Sequence, residues 1–355
     1  MAGVGLFGFA GYVYPSLGGA NDPGIPDSLE YGFTSRTGKL QWGFETDDTV
    51  YNSPAIAEGT VYVGSWDGNL YALNTANGSL DWKLEAVGSE VYGPVVADNT
   101  VFVCDNRTIV YALDATDGTE QWRKQVEAAV TIPVVGDQRV YVGAGQAVAL
   151  DKQTGTKLWN RNLADPSSPV VANGTAYFGT EQGVHALDTE DGSQAWVFET
   201  EEQAAAAAIG DETLYVRTYN PQTEHYRLYA LDTDTATINW SIEPDDYITP
   251  NPVLDGDRIY VGFLDRIAAL DAHSGVEQWE FNTVTSVSSP AVSDGTLYTG
   301  TGEALYAIDA ADGTEQWAFE TDDRMERPVV GENNLYVGNG DYEENSVYAI
   351  AVRDW

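Results

Sequence analysis

Positive charge is what this chain has least of. Its 17 Lys and Arg stand against 55 Asp and Glu, a formal net charge of −38, and only five of the 17 are lysines. Affinity for a nucleic-acid backbone comes from neutralising phosphates with Lys and Arg, so no nucleic-acid partner is expected. A charge this large repels itself in dilute salt and is screened within about 3 Å at molar ionic strength. The composition reads as the solvated surface of a halophilic protein; a surface that concentrates cations or a basic partner is the sharper alternative. Cysteine is nearly absent, with Cys104 alone, so no intrachain disulfide can form, and its place after Val101-Phe102-Val103 suits a small buried hydrophobe. The three histidines, His185, His225 and His273, lie 40 and 48 residues apart, which gives no Cys/His metal motif, and no metal site is assigned. No triad order and no Gly-rich phosphate loop opening a helix is found, so no catalytic residue is assigned either.

Long apolar runs are missing as well. Val4 to Val13 is apolar over ten residues, whereas a helix needs about 20 to span a bilayer. The length suits a signal-peptide core, yet no Lys or Arg precedes Arg36, and such a signal needs a basic leader. Residues 1–28, including the Gly- and Pro-punctuated stretch from Ser16 to Ser28, are therefore set apart as an incomplete signal or an anchoring tail with its linker. Residues 29–355 are expected to form one domain.

What the chain has in abundance is a repeat. Trp42, Trp82, Trp122, Trp159, Trp196, Trp240, Trp279 and Trp317 follow a common lead-in such as Gly-Thr-Glu-Gln, at spacings of 40, 40, 37, 37, 44, 39 and 38 residues. One full unit spans residues 288–321. It holds four short apolar stretches, Pro290-Ala-Val, Leu297-Tyr-Thr, Leu305-Tyr-Ala-Ile and Gln316-Trp-Ala-Phe, separated by Asp-Gly and Gly turns. Each stretch has strand length and none has helical length or period. Four antiparallel strands in a unit of about 40 residues is the mark of a propeller blade. The Pro-apolar opening recurs at Pro54, Pro94, Pro133, Pro169, Pro252, Pro290 and Pro328, with an alanine run at 203–209 in its place in one unit.

The expected fold is thus all-β, an eight-bladed β-propeller. Thr37 to Trp42 supplies a last strand without its first three, and Arg327 to Ala351 supplies three strands without a last, so the N-terminal strand completes the C-terminal blade and closes the ring. Tyr31-Gly-Phe33 competes with Val347 to Ala351 for the third strand of that blade. Eight indoles at one repeat position point to packing between blades and not to a ligand platform; truncating such a ring costs about 3–5 kcal/mol. Trp66 and Trp355 fall outside the register, and Trp66, on the hairpin tip Ser65-Trp66-Asp67-Gly68, is expected to be the more exposed of the two.

Units such as Gly59-Thr-Val-Tyr-Val-Gly-Ser65 followed by Leu70-Tyr-Ala-Leu73 and Gly78-Ser-Leu-Asp-Trp82 resemble pyrroloquinoline-quinone-like repeats, over residues 31–355. The resemblance implies one of two activities. Quinoprotein alcohol and glucose dehydrogenases bind the quinone with calcium over the ring's centre, are considerably longer, and many carry a vicinal disulfide that touches the cofactor. A chain with one cysteine cannot form that disulfide, and no insertion is long enough to roof a cofactor. The other branch resembles the propeller lipoprotein of the outer-membrane assembly machinery, a scaffold without catalysis. Size and short loops favour that branch, although a lipoprotein cysteine near the start is lacking.

The reading is a non-enzymatic, monomeric scaffold of the cell envelope, without a cofactor, that binds a protein or small ligand. A minimal quinone- and calcium-dependent dehydrogenase and an extracellular sensor domain are the alternatives. Binding is expected on the face that carries the loops into the first strands and the hairpins between second and third strands. Those loops make an acidic rim in which Asp47, Asp48, Asp245, Asp246, Asp322 and Asp323 recur as pairs. Their carboxylates could hold a hard cation, but no dense Asp-x-Asp-x-Asp-Gly pattern supports it. Tyr51, Tyr92 and Tyr247 are the candidate partner contacts, since tyrosine offers a large area with one polar tip. Asp48, Asp246, Arg324 and Arg327 complete the candidate rim, the two arginines being ion-paired with neighbouring acids in the simplest case. The longest loop, Thr218 to Tyr226, lies on the same face. The sequons at Asn77, Asn106, Asn173 and Asn239 agree with an external location, the last being expected to be masked by Trp240.

Overall fold

The repeat unit folds as four short strands because its apolar residues alternate with polar ones or cluster between tight turns, a pattern that a pleated sheet buries and a helix does not. A computed structural model of the chain describes residues 38–352, apart from 87, 89, 129, 211, 246, 250, 322–323 and 341–344. Among the described residues the strands, numbered in chain order, run from β1 (Lys39–Glu45) to β32 (Ser346–Ala351) and no helix is present. They form eight antiparallel four-stranded sheets. The first blade is β2 (Ala55–Ala57), β3 (Thr60–Gly64), β4 (Asn69–Asn74) and β5 (Leu80–Glu85), and six further blades repeat that order. The exception is the sheet β1-β32-β31-β30, built from β30 (Val329–Val330), β31 (Asn334–Gly338), β32 and the N-terminal β1. Lys39 pairs with Ala351 and Glu45 with Ser346. The third strand of this blade is therefore β32, which resolves the competition with residues 31–33; those lie outside the described residues, as do the tail 1–28 and Trp355. Among the described residues no helix is long and apolar enough to cross a membrane.

Among the described residues one kind of contact recurs where blades meet, an indole N–H donating to a turn carbonyl of the next blade. Trp42 Nε1 donates to Thr75 O in the following blade at 3.0 Å, and Tyr336 Oη, from the second strand of Trp42's own blade, donates to the same oxygen at 3.1 Å. Trp82 and Tyr62 share Ala115 O, Trp240 and Tyr215 share Ala272 O, and Trp279 and Tyr260 share Ala310 O. Within each pair the rings lie tilted, as in Trp42 and Tyr336 at 5.6 Å between centroids. The tryptophan is aimed there by a bulge opposite it, between Ala72 and Leu73 in the first blade, since a bulge turns a side chain out of the regular pleat. The turn that receives the indole must come close: a Cβ on Gly78, at φ +70°, would stand 2.6 Å from the Trp42 ring.

The first strands of neighbouring blades touch one another and so surround the axis. Two sets of loops emerge on opposite faces. The first-to-second and third-to-fourth turns bond to each other, as in Thr75 N to Gly59 O at 2.9 Å. On the other face the loops into the first strands bond to the second-to-third hairpins, as in Trp66 N to Thr49 O at 3.0 Å and Thr283 N to Asp265 O at 2.8 Å.

Two outcomes follow for stability. In the fifth blade the receiving turn has Ala236, at φ +59°, where most blades have glycine, and a left-handed conformation costs an L-residue about 1–2 kcal/mol. Ala236→Gly is expected to raise the unfolding free energy by about 1 kcal/mol, measured by denaturant titration. The second outcome concerns pH. Asp151, Asp232 and Asp271 begin the third-to-fourth turns, and hydrogen bonds from Thr154, Thr235 and Ser274 hold their carboxyls below the usual range. A carboxyl depressed in the folded state stabilises above its unfolded value and loses that contribution as pH falls through the folded one. The deficit from replacing Thr154, Thr235 and Ser274 together by Ala should thus be present at neutral pH and shrink as the pH falls below about 4, read from unfolding midpoints across pH.

Candidate functional site

Among the described residues, several carboxylates of the loops into the first strands and of the second-to-third hairpins are engaged by the loops themselves. A loop that turns sharply leaves backbone N–H groups without strand partners, and a short carboxylate satisfies them. Asp48 Oδ1 accepts from Thr49 N at 2.7 Å, while its carbonyl accepts from Thr46 Oγ1 and Ser65 Oγ. Asp67 accepts from Tyr71 Oη at 2.6 Å and from the backbone of Asp47 and Asn69. Asp105 is fully buried and accepts from Tyr111 Oη and from the backbone of Gly88, Arg107 and Ile109. Asp48 is thereby a half-buried loop-shaping residue. Asp246, Asp322 and Asp323 lie outside the described residues. Among the described residues no group of three His, Cys, Asp or Glu is arranged to hold a metal ion.

The three candidate tyrosines differ. Tyr51 is 49% exposed, and its ring packs on Trp66 at 5.5 Å between centroids. Trp66 is itself half-buried, and Trp355, the other ring outside the register, lies outside the described residues. Tyr92 lies inside a strand, Val91–Ala97, half-buried, with its hydroxyl bonded to the Glu90 carboxylate. Burial pushes that hydroxyl's pKa up, and the Glu90 carboxylate adds to the shift. Tyr247 meets the edge of Tyr226 at 5.3 Å, and Tyr226 stacks on Tyr219 at 4.6 Å.

That last cluster stands on the hairpin of the fifth blade. Its strands β19 (Thr213–Asn220) and β20 (His225–Asp232) have eight residues each, so most of the stretch read as the longest loop is paired strand, with Tyr219 opposite Tyr226. Alternation sends Tyr219 and Tyr226 to one face and Arg227 to the other. Arg227 bonds to Glu202 at 2.8 Å and to Glu243 at 3.0 Å, and His225 contacts Glu243 at 3.2 Å. An open groove of about 560 Å³ runs beside this network, lined by Glu199, Glu201, Asn220 and His225 among others.

The two candidate arginines also part company. Arg324 pairs with Glu326 at 3.3 Å. Arg327, just ahead of β30, has no ion pair among the described residues, and burial draws its guanidinium below the ordinary range. Arg217, Tyr219, Tyr226 and the Trp66 stack escaped the sequence reading; the available signal for Arg217 was its place in β19, where the repeat mostly has glycine. All four sequon asparagines are exposed, Asn239 included, so Trp240 does not mask it. Cys104 is buried, its Sγ 3.4 Å from Thr131 O.

Comparison with known proteins fits this architecture. The chain is 29% identical over 195 residues to the outer membrane protein assembly factor BamB of Yersinia pestis, a stretch that is 47% of each protein. It is 33% identical over 78 residues to the quinohemoprotein alcohol dehydrogenase ADH IIB of Pseudomonas putida, 18% of this chain and 11% of that one. Both curated relatives are therefore matched over less than half their length. The crystal structure of BamB from Moraxella catarrhalis superposes with a TM-score of 0.73 at 17% identity, covering 89% of this chain and all of that one, a likeness of fold. Residues 29–168 and 265–354 match the family described as outer membrane protein assembly factor BamB, and the chain belongs to that family of propellers.

Proposed function

We propose that the chain is a non-catalytic scaffold of the cell envelope that docks a protein partner on the face bearing the loops into the first strands. The observation that carries this is the grouping of aromatic side chains on that face. Tyr51 with Trp66, and Tyr247 with Tyr226 and Tyr219, form two ring clusters, and Leu264 and Val284 stand exposed there at 52% and 79%. Aromatic and apolar groups collected on one rim, surrounded by acids that hold their loops in shape, are the composition of an interface core with a polar border. Tyr92 and Asp48 belong to that border, as do Arg324 and Arg327. Kinship with the BamB family supports a protein partner and an envelope location. A surface this acidic suits a protein that works in concentrated salt.

Envelope extracts passed over the immobilised chain in molar salt should yield a partner that, once purified, binds in calorimetry. Tyr51→Ala with Tyr247→Ala should weaken that binding by at least tenfold, or about 1.4 kcal/mol, without changing the unfolding midpoint. An unchanged affinity would refute docking through these rings, and dye reduction with alcohols that depends on added quinone and calcium would replace the scaffold by a dehydrogenase.

The charge makes a separate demand. Between about 10 mM and 1 M salt the screening length falls from about 30 to 3 Å, so the thermal midpoint should climb steeply over that range. A midpoint indifferent to ionic strength would contradict the halophilic reading.

A further inference from the structure

The fifth residue of the second strand of each blade faces the next blade's incoming loop. Glycine occupies it in six blades, as Gly64, Gly143, Gly179, Gly262, Gly300 and Gly338. Space explains this: a Cβ on Gly143 would stand 2.1 Å from Pro166 O, and one on Gly300 would stand 2.3 Å from Met325 O. The second blade places Cys104 there, which points at Thr131 O. The fifth blade alone places a long, charged side chain there, Arg217, whose Nη1 reaches Ile248 O at 3.4 Å.

Arg217 is poorly served by its surroundings. A guanidinium has five N–H donors and remains charged. Here Nε is buried without an acceptor, and the bond from Nη1 is long. No carboxylate among the described residues pairs with it, whereas Arg123, Arg139, Arg227, Arg266 and Arg324 each pair with a glutamate. In a chain with 55 acids, an unpaired and largely desolvated arginine runs against both composition and the usual cost of burying charge. Arg217 stands two residues before Tyr219 in β19 and so on the same face of the hairpin, the face on which Tyr219 lies opposite Tyr226 and Tyr247 meets the Tyr226 ring.

We propose that Arg217, with Tyr219, Tyr226 and Tyr247, forms a site for a carboxylate carried on an apolar or aromatic body. The charge and unused donors of Arg217 suit a carboxylate. The tyrosine faces alone would suit a cation, but the guanidinium among them excludes one. The surrounding negative field disfavours multiply charged anions such as phosphate. A monoanion that also covers the ring faces gains from both features. The assignment rests on reading this rim as a binding face, and it names the chemistry recognised beside Tyr247.

The test titrates benzoate into the purified full chain at fixed chloride, followed by calorimetry and tyrosine fluorescence. Saturable one-to-one uptake is expected, at least tenfold weaker in Arg217→Gln and Arg217→Gly. The glycine variant restores the residue most other blades have, so its unfolding midpoint should equal or exceed that of the parent. Absence of saturable uptake by the parent chain overturns the site whatever the variants do. So does equal affinity in Arg217→Gly, or inorganic phosphate binding as tightly as benzoate. A second arm uses acetyl-aspartyl-tyrosine amide: tighter binding than benzoate identifies an acidic peptide as the source of the carboxylate, and weaker binding a free acid. No partner protein enters the titration, so loss of docking with benzoate uptake intact removes the interface alone, and the converse removes the carboxylate site alone.

Discussion

Neighbouring blades of this propeller hold on to one another through a turn carbonyl oxygen that accepts an indole N–H and, in some blades, a second side-chain donor. An indole N–H from the outermost strand and, in four of the described pairs, a phenol O–H from the second strand meet at one turn of the next blade, as Trp42 and Tyr336 do at Thr75 O. Both donors are borne on large rings, so the contact combines apolar burial with satisfaction of polar atoms that would otherwise be lost inside. The receiving turn is shaped for this: Gly78 lets the backbone lie on the indole face, and the side chain at the turn's start, Asn74 there and Asp271 later, ties down the turn's N–H groups. Circular closure demands the same bond at the seam, and β1 supplies Trp42 to a blade whose other strands come from the far end of the chain.

Because this bonding is concentrated on one face and in the walls, the opposite loops are free to differ. Those loops hold the variation between blades: the lengthened hairpin of the fifth blade, the Tyr51 and Trp66 pair, and the arginine standing where glycine is the rule. Several carboxylates of these loops are spent locally. Asp48, Asp67 and Asp105 accept from the N–H and O–H groups of their own loops, which fixes the loops that present the rings.

The blade count, the strand order and the seam were legible in the residues because they depend on a pattern repeated eight times, and each repeat corroborates the others. The site was legible only in part. Tyr51 and Tyr247 were visible as aromatics in lead-in loops, yet Tyr92 looked equivalent and is instead half-buried in a strand and bonded to Glu90. Trp66 looked like a lone ring on a hairpin tip, but its partner Tyr51 comes from the loop into the first strand. Arg324 and Arg327 looked alike, three residues apart, and only the first meets an acid among the described residues.

What the sequence alone determined is what local pattern dictates: strand lengths, turn positions, the interval of the tryptophans and the sign of the surface, each set by residues near one another in the chain. Tertiary structure decided everything that depends on which loops become neighbours. The stacking of Tyr219 on Tyr226 follows from strand register, the approach of Tyr247 from the next blade's position, and the burial of Arg217 Nε without an acceptor from the packing of several segments around it. Register and burial are properties of a packed whole, which is why a repeat that spells out the ring does not by itself spell out what the ring holds.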